Sequence, residues 1–303
     1  MVLQFYIFIG LVTFLWGLSF PTMKIGLNVM HPFMFLVLRS IVSAAAIFGL
    51  IFIRRGTSSP PKRRPEFWWN AILHNTMFVL LYYGAAITTS GRAAVFLYTQ
   101  PLFYAALAVW LIPSERLGLR AVMGFVAAFS GIVVMFGEKM GAGGADVLLG
   151  DSLVILAAVV WGIQSFYLRQ RLKGIDPFRI AAWTQLVAIP IFFVLALIGG
   201  LELPDFADSA VIVSVGYNGI VGTGLVMVLW VRLLAGHPPT RVSAFMFLTP
   251  VFGLFMSSLI LVEPLTGVML AGAALVATGI YFVNTDRRAL PDLPEAPRSV
   301  PGG

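Results

Sequence analysis

The chain has no cysteine and few charged residues. Without cysteine there is no disulfide framework and no thiolate metal site. Charged residues make up 11% of the 303 residues, against about 25% in soluble globular proteins. Hydrophobic residues make up 59%, against roughly 45–50%. This composition predicts a protein that folds in lipid and not in water.

The motifs of nucleotide-binding and hydrolytic enzymes are also absent. The sequence contains no G-x-G-x-x-G, Walker A, H-E-x-x-H or G-x-S-x-G motif. We therefore expect no enzyme activity, no catalytic residues, no cofactor, no resident metal and no direct use of ATP. No Asp or Glu lies in the middle of a predicted helix, because Asp151 is near a helix end and Glu115 and Glu263 are at junctions. That absence argues against a proton-coupled exporter of permanent cations.

Long apolar runs fill most of the chain. A membrane-spanning helix needs about 20 predominantly apolar residues, and the runs are continuous instead of alternating, which excludes a β-barrel. The sequence predicts an all-α integral membrane protein with ten transmembrane helices. These are expected at 4–23, 32–53, 67–88, 92–112, 120–137, 148–168, 179–198, 209–231, 242–261 and 266–284.

A unit of about half the chain occurs twice. Trp-Gly pairs begin at Trp16 and Trp161, 145 positions apart, and Pro32 and Pro177 have the same spacing. Further pairs follow in the same order: Arg92 and Arg241, Pro101 and Pro250, Glu115 and Glu263, Gly124 and Gly272, Gly131 and Gly279. We infer a first five-helix repeat at 4–140, a second at 147–286 and a disordered cytoplasmic tail at 287–303.

The basic residues predict the orientation, since short cytoplasmic loops carry the excess of Lys and Arg. With both termini cytoplasmic, sixteen of the 20 Lys and Arg residues lie inside, and only Lys24, Arg92 and Lys139 lie outside. This topology accounts for the net charge of +7 without a nucleic-acid partner. Because five helices per repeat is an odd number, the second repeat is inverted, which is a transporter architecture.

These features resemble those of a known family. A five-helix unit with Trp-Gly in its first helix, Pro then Arg in its second, Pro in its fourth, and Glu followed by spaced Gly is similar to the EamA domain. Two such units over roughly residues 5–285 resemble the drug/metabolite transporter superfamily. The resemblance implies ten helices, a central cavity, and export of amino acids or other small metabolites across a bacterial inner membrane. Among its members, exporters of aromatic amino acids are a candidate match.

Polar and aromatic side chains at membrane depth tend to face the interior of a helix bundle. On that basis the predicted substrate-binding residues are Trp16, His74, Phe78, Tyr82, Tyr98, Trp161, Gln164, Trp183 and Asn218. Each has an alternative role. Gln164 and Asn218 could form hydrogen bonds between helices, while the tryptophans and His74 could serve in packing.

A second set of residues is predicted to act in structure or gating. Arg39 lies inside the second helix and aligns with Thr184 in the second repeat; we favour a structural role for it over binding of a substrate carboxylate. Pro101 and Pro250 are predicted to kink their helices. Glycines at seven-residue spacing are predicted to let the fifth and tenth helices pack closely: Gly124, Gly131, Gly272 and Gly279.

The expected function is export of aromatic or bulky neutral amino acids by alternating access. Two alternatives remain open: a broad-specificity carrier of small molecules or drugs, and a membrane sensor or lipid-handling protein without solute flux. We expect a small-molecule substrate and the lipid bilayer as partners, and a monomer.

Overall fold

A computed structural model describes residues 2–56, 58–60, 65–111, 118–138, 144–172, 174–229, 246 and 248–285. All regular secondary structure in these ranges is helical. The helices are α1 (Val2–Leu27), α2 (Pro32–Ile53), α3 (Pro65–Ile87), α4 (Ser90–Leu97), α5 (Gln100–Leu111), α6 (Leu119–Gly137), α7 (Ala145–Arg171), α8 (Pro177–Ile198), α9 (Ser209–Gly216), a π-helix (Tyr217–Leu225) that continues α9, α10 (Leu248–Leu261) and α11 (Gly267–Thr285). The predicted tail at 287–303 lies outside the described residues.

Several helices have the length and apolar character of membrane spans. Within the described ranges, five stretches qualify: Gln4–Leu27, Pro32–Ile53, Ala145–Arg171, Pro177–Ile198 and Ser209–Leu229. Large apolar side chains also cover the outer surface, including Phe52 at 84% exposure and Trp110 at 80%. An apolar surface of this extent is expected of a lipid-facing protein. The described part of the chain is therefore all-helical and has the character of a multi-pass membrane protein.

The predicted helix at 92–112 is two helices in the structure. α4 ends at Leu97 and α5 begins at Gln100. The backbone N–H of Thr99 donates to the Phe96 carbonyl at 3.2 Å, three residues back, which tightens the last turn of α4. Pro101 cannot donate a backbone hydrogen bond and its ring clashes with the preceding turn, so the helix restarts instead of continuing. Pro250, by contrast, lies in the first turn of α10, where proline is tolerated.

The second helix of each repeat begins in the same way. In α2, the His31 side chain accepts a hydrogen bond from the Phe33 backbone N–H at 3.3 Å, and Pro32 follows the cap. In α8, the Asp176 carboxylate accepts from the Phe178 backbone N–H at 3.0 Å, and Pro177 follows the cap. Both segments thus pair a side-chain cap with a proline at the first helical position.

The two Trp-Gly pairs serve one packing arrangement. A Cβ built at Gly17 would lie 2.7 Å from the Phe252 Cβ, and one built at Gly162 would lie 3.0 Å from the Phe103 Cβ. Phe252 and Phe103 each follow the paired proline of the opposite repeat by two residues. The first helix of each repeat therefore packs against the segment after the proline in the other repeat, at a distance that favours glycine.

Glycines also join α6 to α11. A Cβ at Gly124 would lie 2.6 Å from the Gly279 carbonyl oxygen, and a Cβ at Gly131 would lie 2.5 Å from the Gly272 carbonyl oxygen. A step of seven residues toward the C-terminus of α6 therefore corresponds to a step of seven residues toward the N-terminus of α11. These two helices, which the repeat makes equivalent, run antiparallel in close contact.

α2 and α8 show the same relationship. Phe48, late in α2, packs edge-to-face on Trp183, early in α8, with ring centroids 5.8 Å apart. At the other end, a Cβ built at Gly199 would lie 3.2 Å from the His31 ring, at the start of α2. The second helices of the two repeats are therefore antiparallel as well.

We predict that Gly131→Ala destabilises the protein by about 1–3 kcal/mol, because the added methyl overpacks the contact with the Gly272 carbonyl. Gly49→Ala is the matched control: it is also a helical glycine, and an added Cβ there meets nothing within 4 Å. Thermal melting in detergent should show a lower midpoint only for Gly131→Ala. Equal midpoints for the two variants would contradict the close packing.

Candidate functional site

Arg39 is buried inside the bundle. It lies in the first half of α2 and is 5% exposed. Its Nη2 donates to the Thr223 hydroxyl at 3.1 Å, and its guanidinium carbon lies 4.0 Å from the centre of the Phe78 ring. Its Nη1 is buried and has no hydrogen-bond partner. The Phe78 ring, the Tyr82 ring at 6.0 Å and the neutral Thr223 hydroxyl thus surround this charge.

Three of the predicted substrate-binding residues lie beside Arg39. The His74 and Phe78 rings are 4.8 Å apart, and the Phe78 and Tyr82 rings are 6.0 Å apart. Gln185 of α8 approaches His74, with 3.5 Å between the two Nε2 atoms. We call this group the Arg39 cluster: Arg39, His74, Phe78, Tyr82, Gln185 and Thr223.

The π-helix positions Thr223 in this cluster. Its wider turn places the Thr223 hydroxyl 3.0 Å from the Asn218 carbonyl, five residues back, to which it donates. Gly219 allows this segment to approach α2, because a Cβ there would lie 2.6 Å from Val42. π-Helices occur frequently at functional sites. The sequence did not identify Thr223 as a candidate site residue.

Tyr98 and the two paired tryptophans lie on adjoining parts of the bundle. Tyr98, at the α4–α5 break, packs edge-to-face on Trp161 with ring centroids 6.0 Å apart, and it lies 6.1 Å from the Phe20 ring. Trp161 is half-buried. The Trp16 indole N–H donates to the Gly222 carbonyl at 3.0 Å, next to Thr223. Trp16 thus contacts the backbone of the π-helix.

The remaining predicted site residues form other contacts. Gln164 Nε2 donates to the Asn70 side-chain oxygen at 3.0 Å, which links α7 to α3. Asn218 Nδ2 donates to the Thr22 hydroxyl at 3.2 Å, which links the π-helix to α1. These bonds are of the interhelical kind that the sequence left as an alternative. Their amide groups are therefore engaged in holding helices together.

Trp183 is placed apart from the Arg39 cluster. Its indole N–H donates to the Ser58 carbonyl at 3.0 Å, in the segment between α2 and α3. The side chain therefore lies near the end of the bundle where α2 ends and α8 begins. Tryptophan is enriched at such ends where they lie at a membrane interface.

A buried ion-pair network closes the opposite end of the bundle. Arg92 is 1% exposed and Asp151 is 0% exposed. The Arg92 guanidinium donates to two carboxylates: Nε to Asp151 Oδ2 at 3.0 Å and Nη1 to Glu138 Oε2 at 3.3 Å. Its Nη2 donates to the Met135 carbonyl at 2.8 Å and also to Asp151. The Thr88 hydroxyl donates to Asp151 Oδ1 at 2.6 Å. The network joins α4 and α6 of the first repeat to α7 of the second.

Two further charges lie at the same end. The Glu263 carboxylate accepts hydrogen bonds from the backbone N–H groups of Ser90 and Gly91, at 2.7 and 2.9 Å, at the start of α4. The Lys24 ammonium donates to the carbonyls of Ala85, Ala86 and Thr88, at 2.9, 2.8 and 2.8 Å, where α3 ends. Each charge matches the dipole of the helix end that it contacts. The sequence predicted only that Lys24 and Arg92 lie on the outer side of the membrane, and it did not identify the groups that they contact.

We predict that Asp151→Asn destabilises the protein by about 3–5 kcal/mol, because it leaves Arg92 buried without its principal counter-charge. Asp146→Asn, an exposed acidic residue in the first turn of the same helix, is the control and should change little. The paired variant Arg92→Met/Asp151→Leu should recover most of the loss. Thermal melting checks all three, and a wild-type midpoint for Asp151→Asn would contradict the assignment.

No metal site accompanies these groups in the part of the chain that the structure describes: none of its clusters of His, Asp or Glu reaches three members in metal-binding geometry. The described residues thus form closely packed helices, a buried Arg39 with aromatic side chains around it, and one ion-paired end.

Comparison with known proteins identifies the family. The model of the EamA-like transporter family matches residues 4–137 and again residues 148–285. The chain belongs to the EamA-like transporter family. The two EamA matches cover the two halves that the Trp-Gly pairs mark.

Several proteins described as transporters or efflux pumps are similar to nearly the whole chain. "Uncharacterized transporter YoaV" of Bacillus subtilis (strain 168) is 28% identical over 90% of this chain and 94% of its own length. The "Probable amino-acid metabolite efflux pump" of Escherichia coli (strain K12) is 29% identical over 90% of this chain and 92% of its own. A protein of the same description from Salmonella typhimurium is 28% identical. A solved crystal structure matches with a TM-score of 0.66 at 18% identity, covering 90% of this chain and 94% of that one, and so shares the fold.

Proposed function

We propose that this EamA protein exports small metabolites, first among them amino acids with aromatic or bulky neutral side chains. The observation that carries the proposal is the pair of family matches, because both halves of the chain match a transporter family. Relatives described as probable amino-acid metabolite efflux pumps, at 28% and 29% identity, support amino acids as the substrate class. The half-buried rings of His74, Phe78 and Trp161 support an aromatic or apolar substrate body.

The proposed architecture has ten spans in two inverted repeats, at 4–140 and 147–286. The antiparallel contacts between α6 and α11, and between α2 and α8, support the inversion. Both termini are cytoplasmic in this proposal, in a bacterial inner membrane, as the distribution of Lys and Arg predicts. Lys24 and Arg92, outside in that orientation, are held by carbonyl and carboxylate groups, which explains why basic residues are tolerated there.

The proposed mechanism is alternating access. In the proposed orientation, the Arg92–Asp151–Glu138 network is the closed outer end, and it spans the boundary between the repeats. Opening of that end requires these buried bonds to separate while the other end closes. Rocking of one repeat against the other about a site near the midplane is the motion that this fold supports.

Reconstituted protein tests the proposed function. Proteoliposomes loaded with unlabelled amino acid should exchange labelled phenylalanine, tryptophan or leucine faster than protein-free liposomes. Robust uptake of hydrophobic amines without uptake of any amino acid would instead establish the broad-specificity carrier. The absence of flux for amino acids, nucleosides and amines, with and without a pH gradient, would contradict transport and favour a sensor or lipid-handling role.

Trp161 separates a role in the transport path from a role in packing. We predict that Trp161→Ala lowers exchange at least tenfold while the variant remains folded, because the ring contacts Tyr98 but stays half-buried in the interior. Trp110→Ala is the matched control, since that ring is 80% exposed on the outer surface. Exchange rates are compared at equal amounts of reconstituted protein. Wild-type exchange by Trp161→Ala would remove this residue from the path.

A further inference from the structure

Arg39 and Arg92 are buried to a similar degree but are held in opposite ways. Arg92 is ion-paired with Asp151 and Glu138 and also donates to a backbone carbonyl. Both ion pairs found in the described ranges belong to Arg92. Arg39 has a neutral threonine acceptor, and its Nη1 donor is unpaired. A guanidinium kept only for structure is expected to resemble Arg92, because an uncompensated buried charge is costly.

The surroundings of Arg39 orient the guanidinium and leave its buried Nη1 without a hydrogen-bond partner. The Phe78 ring covers one face at 4.0 Å, and the Thr223 hydroxyl holds Nη2 at 3.1 Å. Phe78, Thr223 and the adjoining His74 are each only half-buried. The charge is thus oriented by stacking and by one hydrogen bond, with partly accessible side chains around it.

The position of Arg39 also breaks the symmetry of the repeat. Thr184 occupies the equivalent position on α8 and is 2% exposed, and its hydroxyl also has no hydrogen-bond partner. At this repeated position, α2 therefore carries a positive charge and α8 carries a neutral polar group. A ligand with an anionic end matches this asymmetry.

We propose that the Arg39 guanidinium binds the carboxylate of the transported molecule. The site then takes small carboxylates with an aromatic or bulky apolar body, and it discriminates against the matching amines and amides. A carboxylate accepts from Nη1 in a charge-assisted hydrogen bond and supplies the missing counter-charge. The apolar body then contacts Phe78 and its aromatic neighbours. This inference rests on the proposed transport function.

Ligand binding to purified protein in detergent tests the inference without requiring flux. The panel pairs phenylalanine and 3-phenylpropionate, which carry a carboxylate, with phenylalaninamide and phenethylamine, which do not; tryptophan and leucine extend it to other side chains. Ligand-dependent melting gives an apparent Kd for each compound. The carboxylates should bind the wild-type protein at least tenfold more tightly than the amide and the amine. Equal binding of phenylalanine and phenylalaninamide, or no binding of any carboxylate, would overturn the inference.

Two variants assign the discrimination to Arg39. Arg39→Gln should weaken carboxylate binding by about 10- to 100-fold, the range for loss of a hydrogen bond to a charged group, and should not weaken the binding of phenethylamine, which is a cation and gains nothing from the guanidinium. Arg39→Lys keeps the positive charge but loses the planar guanidinium, so its affinity for carboxylates should lie between those of the wild type and Arg39→Gln. Arg120→Gln is the charge-matched control, because Arg120 is exposed at the start of α6. If Arg39→Gln lowers stability but preserves the wild-type ratio of affinities, Arg39 has a structural role and the inference is wrong.

Failure of the two proposals can be told apart. Proteoliposomes that exchange amino acids and amines equally well, in wild type and in Arg39→Gln, would uphold transport and overturn carboxylate binding by Arg39. Selective binding of carboxylates in detergent with no exchange in liposomes would uphold the binding site and overturn transport. If Arg39→Gln does not fold, the wild-type comparison of phenylalanine with phenylalaninamide still decides the inference.

Discussion

Close contact of helices through glycine is the constraint on which the rest of this structure depends. Lipid supplies no hydrophobic force between helices, so their association relies on close packing. Here Gly17 and Gly162 seat the first helix of each repeat against the other repeat, and Gly131 approaches the Gly272 carbonyl. These contacts set the depth of Trp16 and Trp161, which directly precede two of the glycines. They also bring equivalent helices together in antiparallel pairs.

The chemistry of the protein lies in departures from this symmetric frame. Arg39 has Thr184 as its equivalent, so this repeated position carries a positive charge in the first repeat and a neutral group in the second. The ion-paired end is built around Arg92, which binds carboxylates from α6 and α7. In the proposed mechanism, rocking of one repeat against the other changes access, whereas the unpaired charge of Arg39 is proposed to recognise the cargo. A carrier needs both properties, since it must change access and also recognise its cargo.

The sequence predicted the helices well because apolar run length and the Pro and Gly boundaries are local features. It also predicted the EamA family, since the landmark pairs recur in order. It was wrong in predicting a single helix at 92–112 with a kink at Pro101, because the structure has two helices there, separated between Leu97 and Gln100. It could not find partners for Arg92, because Asp151 is 59 positions away and only the packing of α4 on α7 brings them together. Thr223 was missed for a similar reason: a π-helix changes which residues share a face.

The helical content and membrane character thus follow from the residues, while the contacts of the site depend on packing between distant segments. His74, Phe78 and Tyr82 were predicted as polar and aromatic residues at membrane depth, and they lie together because a single helix presents them at four-residue spacing. Gln164 and Asn218 were chosen by depth alone. Depth does not distinguish a side chain that faces a ligand from one that bonds to the next helix.

Inversion of the two halves is the central claim, and accessibility of introduced cysteines tests it most directly. The native chain has no cysteine, so Ser58→Cys and Leu203→Cys each carry one thiol, in the equivalent α2–α3 and α8–α9 connections. Both positions are exposed. In intact cells, a membrane-impermeant thiol reagent should label Leu203→Cys and spare Ser58→Cys until the membrane is permeabilised. Labelling of both variants from the same side of the membrane would contradict the inverted arrangement.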